Sequence, residues 1–429
     1  MATSTQLRQQ MAQGVCDEAL CALYGTDPDI VARQRRRYAA ALEQFELYYG
    51  QGREVQIYSA PGRAELGGNH TDHQHGYGLA AAVDLDLVAV AAPSDDGYIR
   101  VKSYGFNKLD VVDMAESAPQ KGESTHSASL IRGIAEGFRA AGARVGGFDA
   151  YTTSDVLRGS GLSSSAAFEM GMASVLNGLY GCGFSAPGLA RIAQYAENTY
   201  FGKPSGLLDQ LTSAVGGVIF ADFADPTSPK IEKLHASALL PPDMSLCVTD
   251  TRGSHSELTG EFAAIRREME AVAVCLGKRV LGEVREADFW QALPRVRTAC
   301  GDRAALRAAH FFEENARVLA QRAALRAGDF AAFLELIRAS GHSSFELCQN
   351  VSCATDTGHQ GLAVALAVSA SALGDQGAYR MQGGGFAGTI QAFVPALRLA
   401  AYRRAVEAVF GPGTLYCVRP REQGAVCVI

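Results

Sequence analysis

A stretch rich in glycine and serine carries residue types suited to binding an anion. It runs Gly159-Ser160-Gly161-Leu162-Ser163-Ser164-Ser165 and leads into a helix-forming segment from Ala166 to Tyr180. Glycines let the backbone bend close to a ligand, hydroxyl groups donate hydrogen bonds, and free N–H groups at a helix start favour negative charge. The stretch therefore suits a phosphate group, and a serine-rich helix cap is the alternative. It lacks the lysine that ends the P-loop signature, so that nucleotide fold is not indicated.

Two acidic residues flank a turn further along the chain. Glu197 and Asp209 lie on either side of the turn from Gly202 to Gly206, and leucines surround Asp209. A carboxylate in an apolar setting is costly unless it is paired, and we expect Arg63 to be the partner of Asp209. A carboxylate held by a guanidinium can orient a hydroxyl nucleophile or accept its proton. A purely structural salt bridge is the alternative.

A polar segment over residues 63–77 lies between two predicted strands, Val55–Tyr58 and Leu79–Ala92. We expect a loop whose donors and acceptors match a ligand rich in hydroxyl groups, because each hydroxyl needs a partner once water is excluded. Its HisxxHisxHis spacing is also compatible with a metal site, and an Asx-rich turn is a third reading. The candidate residues are Asn69, His70, Asp72, His73 and His75.

A second glycine-rich segment, Met381-Gln382-Gly383-Gly384-Gly385-Phe386-Ala387-Gly388, lies near the C-terminal end. So many glycines cost backbone entropy, and an ordinary hairpin turn does not need them. We therefore expect either a close approach to this loop or an unusual turn in it.

The length of 429 residues predicts two domains and an added terminal segment. Residues 1–50 have apolar residues at helical spacing and form a predicted helical extension, in which the basic run from Arg33 to Arg37 is expected to be a solvated face. The proline-containing stretch Asp222–Pro229 predicts the boundary between domains at 51–225 and 226–429. Strands and helices interleave in both, which predicts an α+β fold with a cleft between the domains.

Composition and charge narrow the class of partner. Hydrophobic residues make up 48% and charged residues 20%, and the net charge of -6 gives no support to binding of nucleic acid or an anionic membrane. The ten cysteines include no CxxC pair, which favours reduced thiols over a zinc site. No stretch reads as a signal peptide or membrane span. We expect a cytoplasmic protein with a small-molecule substrate and no obligate protein partner.

Taken together, these segments resemble the GHMP small-molecule kinases, and within them the galactokinases. The residues from Ala60 to Arg63 and from Gly68 to Asp72 are similar to the galactokinase signature APGRVNLIGEHTDY. Residues 159–167 are similar to the phosphate loop GxGLSSSAA. Two further segments, Ala196–Gln210 and Arg380–Thr389, resemble AEN…GxxDQ and RMTGGGFGGC. The likeness extends from about residue 45 to the C-terminus.

The resemblance implies a fold, a reaction and a set of site residues. The first domain would resemble ribosomal protein S5 domain 2, the second would be ferredoxin-like, and the active site would lie in the cleft. The reaction would be ATP-dependent phosphorylation of a sugar's anomeric hydroxyl. Asp209 is the implied catalytic carboxylate and Arg63 its partner, while Ser165 and Glu197 are implied ligands of Mg²⁺.

The same resemblance implies binding residues for both substrates. The loop from Gly159 to Ser165 would cradle the triphosphate of ATP. The implied sugar-binding residues are Asn69, His70, Asp72, Gly206 and Asp209. Phosphoryl transfer needs positioning and charge neutralisation more than covalent help, which agrees with these residue types.

The sequence departs from the galactokinase signature where the sugar is implied to bind. Asn69 replaces the family's Glu, and His73 replaces its Tyr. The family's sugar-contacting Tyr, in a SxYNxRR-like segment, has no clear counterpart, and the matching segment offers Ala263 or Phe262 beside it. Loss of a buried acceptor facing a hydroxyl costs about 1–3 kcal/mol, which is enough to change the preferred sugar.

These departures leave three readings of the substrate. Galactose is the first expectation, because most of the signature is kept. Galacturonate or another galactose-like sugar is the alternative, because loss of the Glu removes repulsion of an acidic sugar; plant galacturonic acid kinases also lack it and have AspHisGln where this chain has Asp72-His73-Gln74. An inactive sugar sensor is a third reading, which the intact serines and Asp209 disfavour.

Overall fold

Two β-sheets form the framework of the chain. The computed structural model describes residues 2–156, 161–203, 205–253, 259–354 and 356–429. Over these ranges one sheet has eight strands and the other has four, and helices pack against both. This arrangement confirms the predicted α+β class.

The N-terminal extension is helical, with α1 at Ser4–Gln13, α2 at Asp17–Tyr24 and α3 at Pro28–Tyr49. Helix α3 begins at Pro28, a residue that suits the first helical position. Asp27 caps the helix by accepting a hydrogen bond from the N–H group of Asp29 at 3.0 Å. Apolar side chains of the three helices pack in one buried cluster with residues of the first sheet. This contact fixes the extension on the first domain.

One arginine of the basic run in α3, Arg37, forms an ion pair with a buried aspartate, so the prediction that this run is a solvated face was wrong. Arg37 donates to one carboxylate oxygen of Asp86 at 2.7 Å, and Arg421 approaches the other at 3.1 Å. Burial acts to raise the pKa of Asp86, but the two guanidinium groups outweigh it and the pKa is lowered. The hydroxyl of Tyr24 donates to the same carboxylate. One buried charge therefore joins the extension, the sheet and the C-terminal segment.

The first sheet contains most of the N-terminal half. Its strands run in the order β1-β2-β5-β3-β4, with β6 paired to the first part of β2 and β7 paired to β6; the β3–β5 pair is parallel and the others are antiparallel. Buried apolar residues of the sheet and of helices α4 to α7 form the main core. The bounds are β1 Gln56–Gly67, β2 Tyr77–Ser94, β3 Tyr98–Ser103, β4 Leu109–Asp113, α4 Ser127–Ala140, β5 Gly147–Ser154, α5 Ser164–Leu179, α6 Ala186–Ala196, α7 Leu208–Val215, β6 Val218–Asp222 and β7 Lys230–Leu234.

Strand β1 is longer than the sequence suggested. It continues through Pro61 and Gly62 to Gly67, so the prediction that the polar loop begins at Arg63 was wrong. The pairing with β2 shifts register between Pro61 and Arg63 and again between Glu65 and Gly67. Such irregularities bend a strand and re-aim its side chains. The polar loop itself covers residues 68–76.

The second sheet contains four antiparallel strands in the order β11-β8-β10-β9. Two helical connections and one hairpin join them in the succession of a ferredoxin-like unit, as predicted. None of the described helices has both the length and the apolar character needed to cross a membrane. The bounds are β8 Met244–Asp250, α8 Thr259–Cys275, α9 Glu286–Cys300, α10 Asp302–Ala327, α11 Phe330–Ser343, α12 Gly361–Leu373, β9 Ala378–Gln382, β10 Thr389–Pro395, α13 Leu399–Phe410 and β11 Leu415–Val418.

The chain end returns to the first sheet, where β12, Val426–Cys427, pairs with β1. Strand β7, residues 230–234, also belongs to that sheet. Two strands of the first sheet, β7 and β12, therefore lie beyond the predicted boundary at residue 225. The division into 51–225 and 226–429 stays a prediction.

Buried polar contacts hold the second domain against the end of β1. Arg380 of β9 forms an ion pair with Glu65 at 2.9 Å, and both side chains are almost completely buried. The main-chain carbonyl of Leu66 accepts from Gln321 at 3.0 Å, and the N–H group of Gly68 donates to Glu314 at 3.0 Å. The end of β1 and the start of the loop after it are therefore held in place by side chains of the second domain.

Candidate active site

A cavity of about 480 Å³ lies where the end of β1 meets the starts of α5 and α7 and the loop after β9. We refer to it as the central cavity. Its wall contains most of the predicted site residues: Arg63, Asn69, His70, Asp72, Gly206 and Asp209, together with Gly161 and the serines at 163–165. The structure thus brings together residues from three distant segments of the sequence.

Asp209 and Arg63 form the ion pair that the sequence predicted. Asp209 lies in the first turn of α7, and its two oxygens accept from Nε and Nη2 of Arg63 at 2.7 and 2.8 Å. The Arg63 side chain is 6% exposed, whereas that of Asp209 is 36% exposed and faces the central cavity. Burial acts to raise the pKa of Asp209, but the Arg63 guanidinium outweighs it and the pKa lies below its ordinary value. The carboxylate is therefore held ionised and oriented.

The serine-bearing loop lies directly against this ion pair. The hydroxyl of Ser163 donates to Asp209, and Arg63 also donates to the carbonyl of Gly161. Ser163 has φ of 57°, so the chain turns sharply immediately before α5 begins. Ser164 and Ser165, in the first turn of α5, line the central cavity.

Two other predicted members of this loop can be placed relative to the cavity. The Leu162 side chain is buried in the main core, and its carbonyl accepts from the N–H group of Arg63 at 3.0 Å. Gly161 has φ of 65°, and an added Cβ would lie 2.7 Å from the Gln382 carbonyl, so the two glycine-rich loops pack closely on each other. Gly159 and Ser160 lie outside the described residues.

Asp72 and Gly206 meet on another wall of the cavity. The carboxylate of Asp72 accepts from the N–H group of His73 at 2.7 Å and from the N–H groups of Leu207 and Leu208 at the start of α7. Burial and then the nearby Asp209 raise its pKa, against those backbone donors. A Cβ on Gly206 would lie 1.5 Å from Oδ2 of Asp72. Glycine is therefore required at position 206 for Asp72 to reach its place.

Asn69 is occupied by protein contacts. Its amide nitrogen donates to Glu65 at 2.9 Å and to the Gly383 carbonyl at 2.8 Å, and its oxygen accepts from Asn350 at 2.8 Å. His70 donates from Nε2 to the carbonyl of Gly384 at 2.9 Å, and burial lowers its pKa to about 4. Both side chains therefore connect the polar loop to the second glycine-rich loop.

Glu197 lies behind the cavity wall, at the C-terminal end of α6. One oxygen forms an ion pair with Lys203 at 2.8 Å, and the other accepts from Gln210 at 2.8 Å and from Ser205. Only 2% of its side chain is exposed, whereas Lys203 and Ser205 line the central cavity. Among the residues that the structure describes, no group of three acidic, histidine or cysteine side chains could hold a metal ion, so His70, His73 and His75 form no such site.

Comparison with known proteins agrees with this geometry. Residues 43–93 match the galactokinase galactose-binding signature, and residues 129–217 match the N-terminal domain of GHMP kinases. A galactokinase of Streptomyces coelicolor is 34% identical over 382 residues, which cover 88% of this chain and 94% of the relative. The chain belongs to the galactokinase family. A galactokinase of Mycobacterium tuberculosis is 35% identical over 347 residues, 80% of this chain and 89% of the relative.

Solved structures place this galactokinase family member in the same fold. The structure of Lactococcus lactis galactokinase complexed with galactose superimposes with a TM-score of 0.79 at 25% identity, and the match covers 91% of this chain and all of the other. Methanococcus jannaschii mevalonate kinase, at 14% identity and a TM-score of 0.62 over 86% and 98% of the chains, shares the fold. The chain is an ATP-dependent sugar kinase of galactokinase type, as the sequence predicted.

Sequence reasoning missed a departure from the family signature beside Asn69. The signature APGRVNLIGEHTDY has Asn where this chain has Glu65 and Glu where it has Asn69. The two residue types are exchanged, and here they contact each other at 2.9 Å. The signal was available from the motif itself. Lys203, inside the turn between Glu197 and Asp209, was also missed.

We expect Gly206→Ala to lower activity sharply, because the new Cβ displaces the Asp72 carboxylate from the start of α7. The matched control is Gly260→Ala, since Gly260 has open space around it and neither glycine has a positive φ. Steady-state kinetics gives kcat/KM for both variants, and thermal melting compares their stability. Equal kcat/KM in the two variants would contradict the role assigned to Gly206.

Proposed function

We propose that this protein transfers the terminal phosphoryl group of ATP to the anomeric hydroxyl of galactose or a close analogue. The observation that carries the proposal is the Arg63–Asp209 ion pair, which faces the central cavity beside the serine-bearing start of α5. A sugar hydroxyl at Asp209 would lie next to a phosphate held at the helix N-terminus. Galactokinase relatives and the galactose complex of the Lactococcus lactis enzyme support this assignment.

Asp209 would contact the sugar hydroxyl that acts as the nucleophile, and Arg63 would orient Asp209 and keep it ionised. The lowered pKa makes the carboxylate a weak base, so its main work is to orient the sugar hydroxyl and receive the proton late. Phosphoryl transfer through a loose transition state requires little removal of that proton beforehand. Asp72 and Gly206, with His70 and Asn69, would shape the sugar side of the cavity.

The loop from Gly159 to Ser165 would hold the triphosphate, with α5 directing its free N–H groups toward it. Ser165 and Glu197 would hold Mg²⁺. One hydroxyl and one carboxylate suit this ion, which usually keeps several waters and binds phosphate oxygens. Glu197 contacts Lys203, whose side chain is 54% exposed and lines the central cavity. When bound, the ion would neutralise charge on the triphosphate.

An acidic sugar such as galacturonate is the second candidate, and His73 is the observation that favours it. The N–H group of Leu281 donates to the Gln74 side-chain oxygen, so the Gln74 nitrogen faces Nδ1 of His73 at 3.1 Å. The proton of the neutral ring is then on Nε2, which is buried and has no hydrogen-bond partner among the described residues. Arg266 lines the same cavity. Arg266 also forms an ion pair with Glu270 at 2.8 Å, and its guanidinium together with the unpartnered N–H group of His73 suits an acceptor such as a sugar carboxylate.

We expect Asp209→Asn to lower kcat by about 10²–10⁴-fold, because the amide cannot receive the proton of the nucleophile. Folding and ATP binding should be kept, as checked by circular dichroism and calorimetry. Asp243→Asn, at an exposed aspartate outside the cavity, is the control. Turnover of Asp209→Asn within a few-fold of the parent enzyme would refute the catalytic role.

The acid limb of the pH profile should move to higher pH in Arg63→Met. Asp209 works as the ionised form, which is present above its pKa, and Arg63 keeps that pKa below the ordinary value of 3.8. Without the guanidinium, burial raises the pKa, so kcat falls at a higher pH as the buffer is acidified. The profile of kcat from pH 4 to 8 measures the shift. Ser163→Ala, which removes a weaker contributor, should shift the limb less; an unmoved limb in Arg63→Met contradicts the assignment.

A substrate panel separates the readings, with ATP consumption measured on galactose, galacturonate, arabinose, N-acetylgalactosamine and glucose. We expect galactose or its close analogue to give the highest kcat/KM. The double variant Glu65→Asn/Asn69→Glu restores the family arrangement and should raise the preference for galactose over galacturonate. Asn69→Glu alone places two carboxylates side by side and should lower stability. An unchanged preference in the double variant would exclude this pair from sugar selection.

Highest turnover on galacturonate in the parent enzyme would establish the second candidate. Tight binding of one sugar without turnover of any would favour a sensor. The result therefore decides between the three readings of the sequence.

A further inference from the structure

A carboxyl group that the proposed mechanism does not use lies beneath the phosphate-binding loop. Glu169 is on α5, four residues after Ser165, so the two side chains lie on the same side of the helix. Its side chain is fully buried, and no arginine or lysine forms an ion pair with it among the described residues. Burial, and then the nearby Glu197, raise its pKa well above the ordinary value. An isolated acid in such a place is costly for the fold.

The contacts of Glu169 lead to the proposed metal ligand. The side-chain nitrogen of Gln210 donates to Oε2 of Glu169 at 3.0 Å and to Oε2 of Glu197 at 2.8 Å. One amide group therefore joins the two carboxyl groups. Oε1 of Glu169 and Oε1 of Gln210 are buried without hydrogen-bond partners among the described residues. An apolar pair of the same size would avoid this cost, which points to a role other than stability.

The other contacts of Glu197 come from the cavity side. Lys203 and Ser205 line the central cavity, and Lys203 is more than half exposed. These two side chains are the ones that a nucleotide and its metal ion would displace or recruit. Gln210 approaches from the buried side, and 0% of it is exposed. The hydrogen bond from Gln210 to Glu197 therefore need not break when a nucleotide and its metal ion occupy the cavity.

We propose that Glu169 is a positioning residue for the Mg²⁺ site: it fixes the side chain of Gln210, which in turn fixes the carboxylate of Glu197. This inference rests on the proposed function, in which Glu197 and Ser165 hold the ion. Partners that orient a metal ligand commonly change metal affinity by about 10–100-fold when they are removed. The arrangement also accounts for the position of Glu169, the one charged residue of α5, one helical turn after Ser165.

The test measures metal binding directly. We expect Glu169→Leu to weaken Mn²⁺ binding to the full-length protein, saturated with a non-hydrolysable ATP analogue, by about tenfold in electron paramagnetic resonance titrations. Glu169→Gln keeps an acceptor for Gln210 and should bind nearly as the parent does. The KM for the sugar should stay unchanged in both variants. Glu46→Leu, a buried acid of the N-terminal extension, is the control for lost stability alone.

Two further variants make the outcome decisive. Gln210→Leu removes the same link from its other end and should weaken Mn²⁺ binding similarly, so the proposal stays testable if Glu169→Leu does not fold. Parent-like Mn²⁺ affinity in either folded variant would overturn the proposal. Glu197→Gln separates it from the proposed function: if Glu197→Gln keeps full affinity, the assignment of Glu197 to the metal is wrong. If Glu197→Gln loses affinity, the effect of Glu169→Leu should vanish in that background.

Discussion

The ion pair between Arg63 and Asp209 is the interaction on which the site depends. Arg63 is nearly inaccessible to solvent, and its guanidinium has three commitments: two to the carboxylate and one to the Gly161 carbonyl. It therefore fixes the end of β1, the start of α5 and the start of α7 relative to one another. In a partly buried setting this charge pair also keeps the carboxylate ionised, because the cation offsets the cost of burial. The proposed catalytic geometry and the fold therefore depend on the same contact.

A second buried pair decides how the two domains meet. Glu65 and Arg380 join β1 to β9, and removing one partner of such a pair costs about 3–5 kcal/mol, because the other charge is left uncompensated. Asn69 and His70 add contacts to the carbonyls of Gly383 and Gly384. The central cavity therefore has walls from both domains that are held by hydrogen bonds. A change of residue at 65 or 69 acts on this junction as well as on the proposed sugar site.

Much of the fold and site could be predicted because their signals are local. Glycine density, serines before an apolar helix and acids around a turn are recognisable within short segments, and the pairing of Arg63 with Asp209 followed from the cost of an unpaired acid. Other features were missed because they depend on partners far away. The strand β1 continues through Pro61 and Gly62 because β2 supplies pairing on both sides of a bulge. Arg37 is only 11% exposed because its guanidinium pairs with the buried Asp86, 49 residues away.

The sequence by itself determined the family, the reaction type and the identity of the chemical groups, because motifs are sets of residue types at fixed spacing. Only the tertiary structure decided which of those groups face the cavity. Asn69 has its donors and acceptor occupied by three protein contacts, Glu197 lies behind Lys203, and Glu169 and Gln210 connect to it from below. Such relations join residues up to 314 positions apart, and they depend on packing between domains. The spacing of residues along the chain does not predict these contacts.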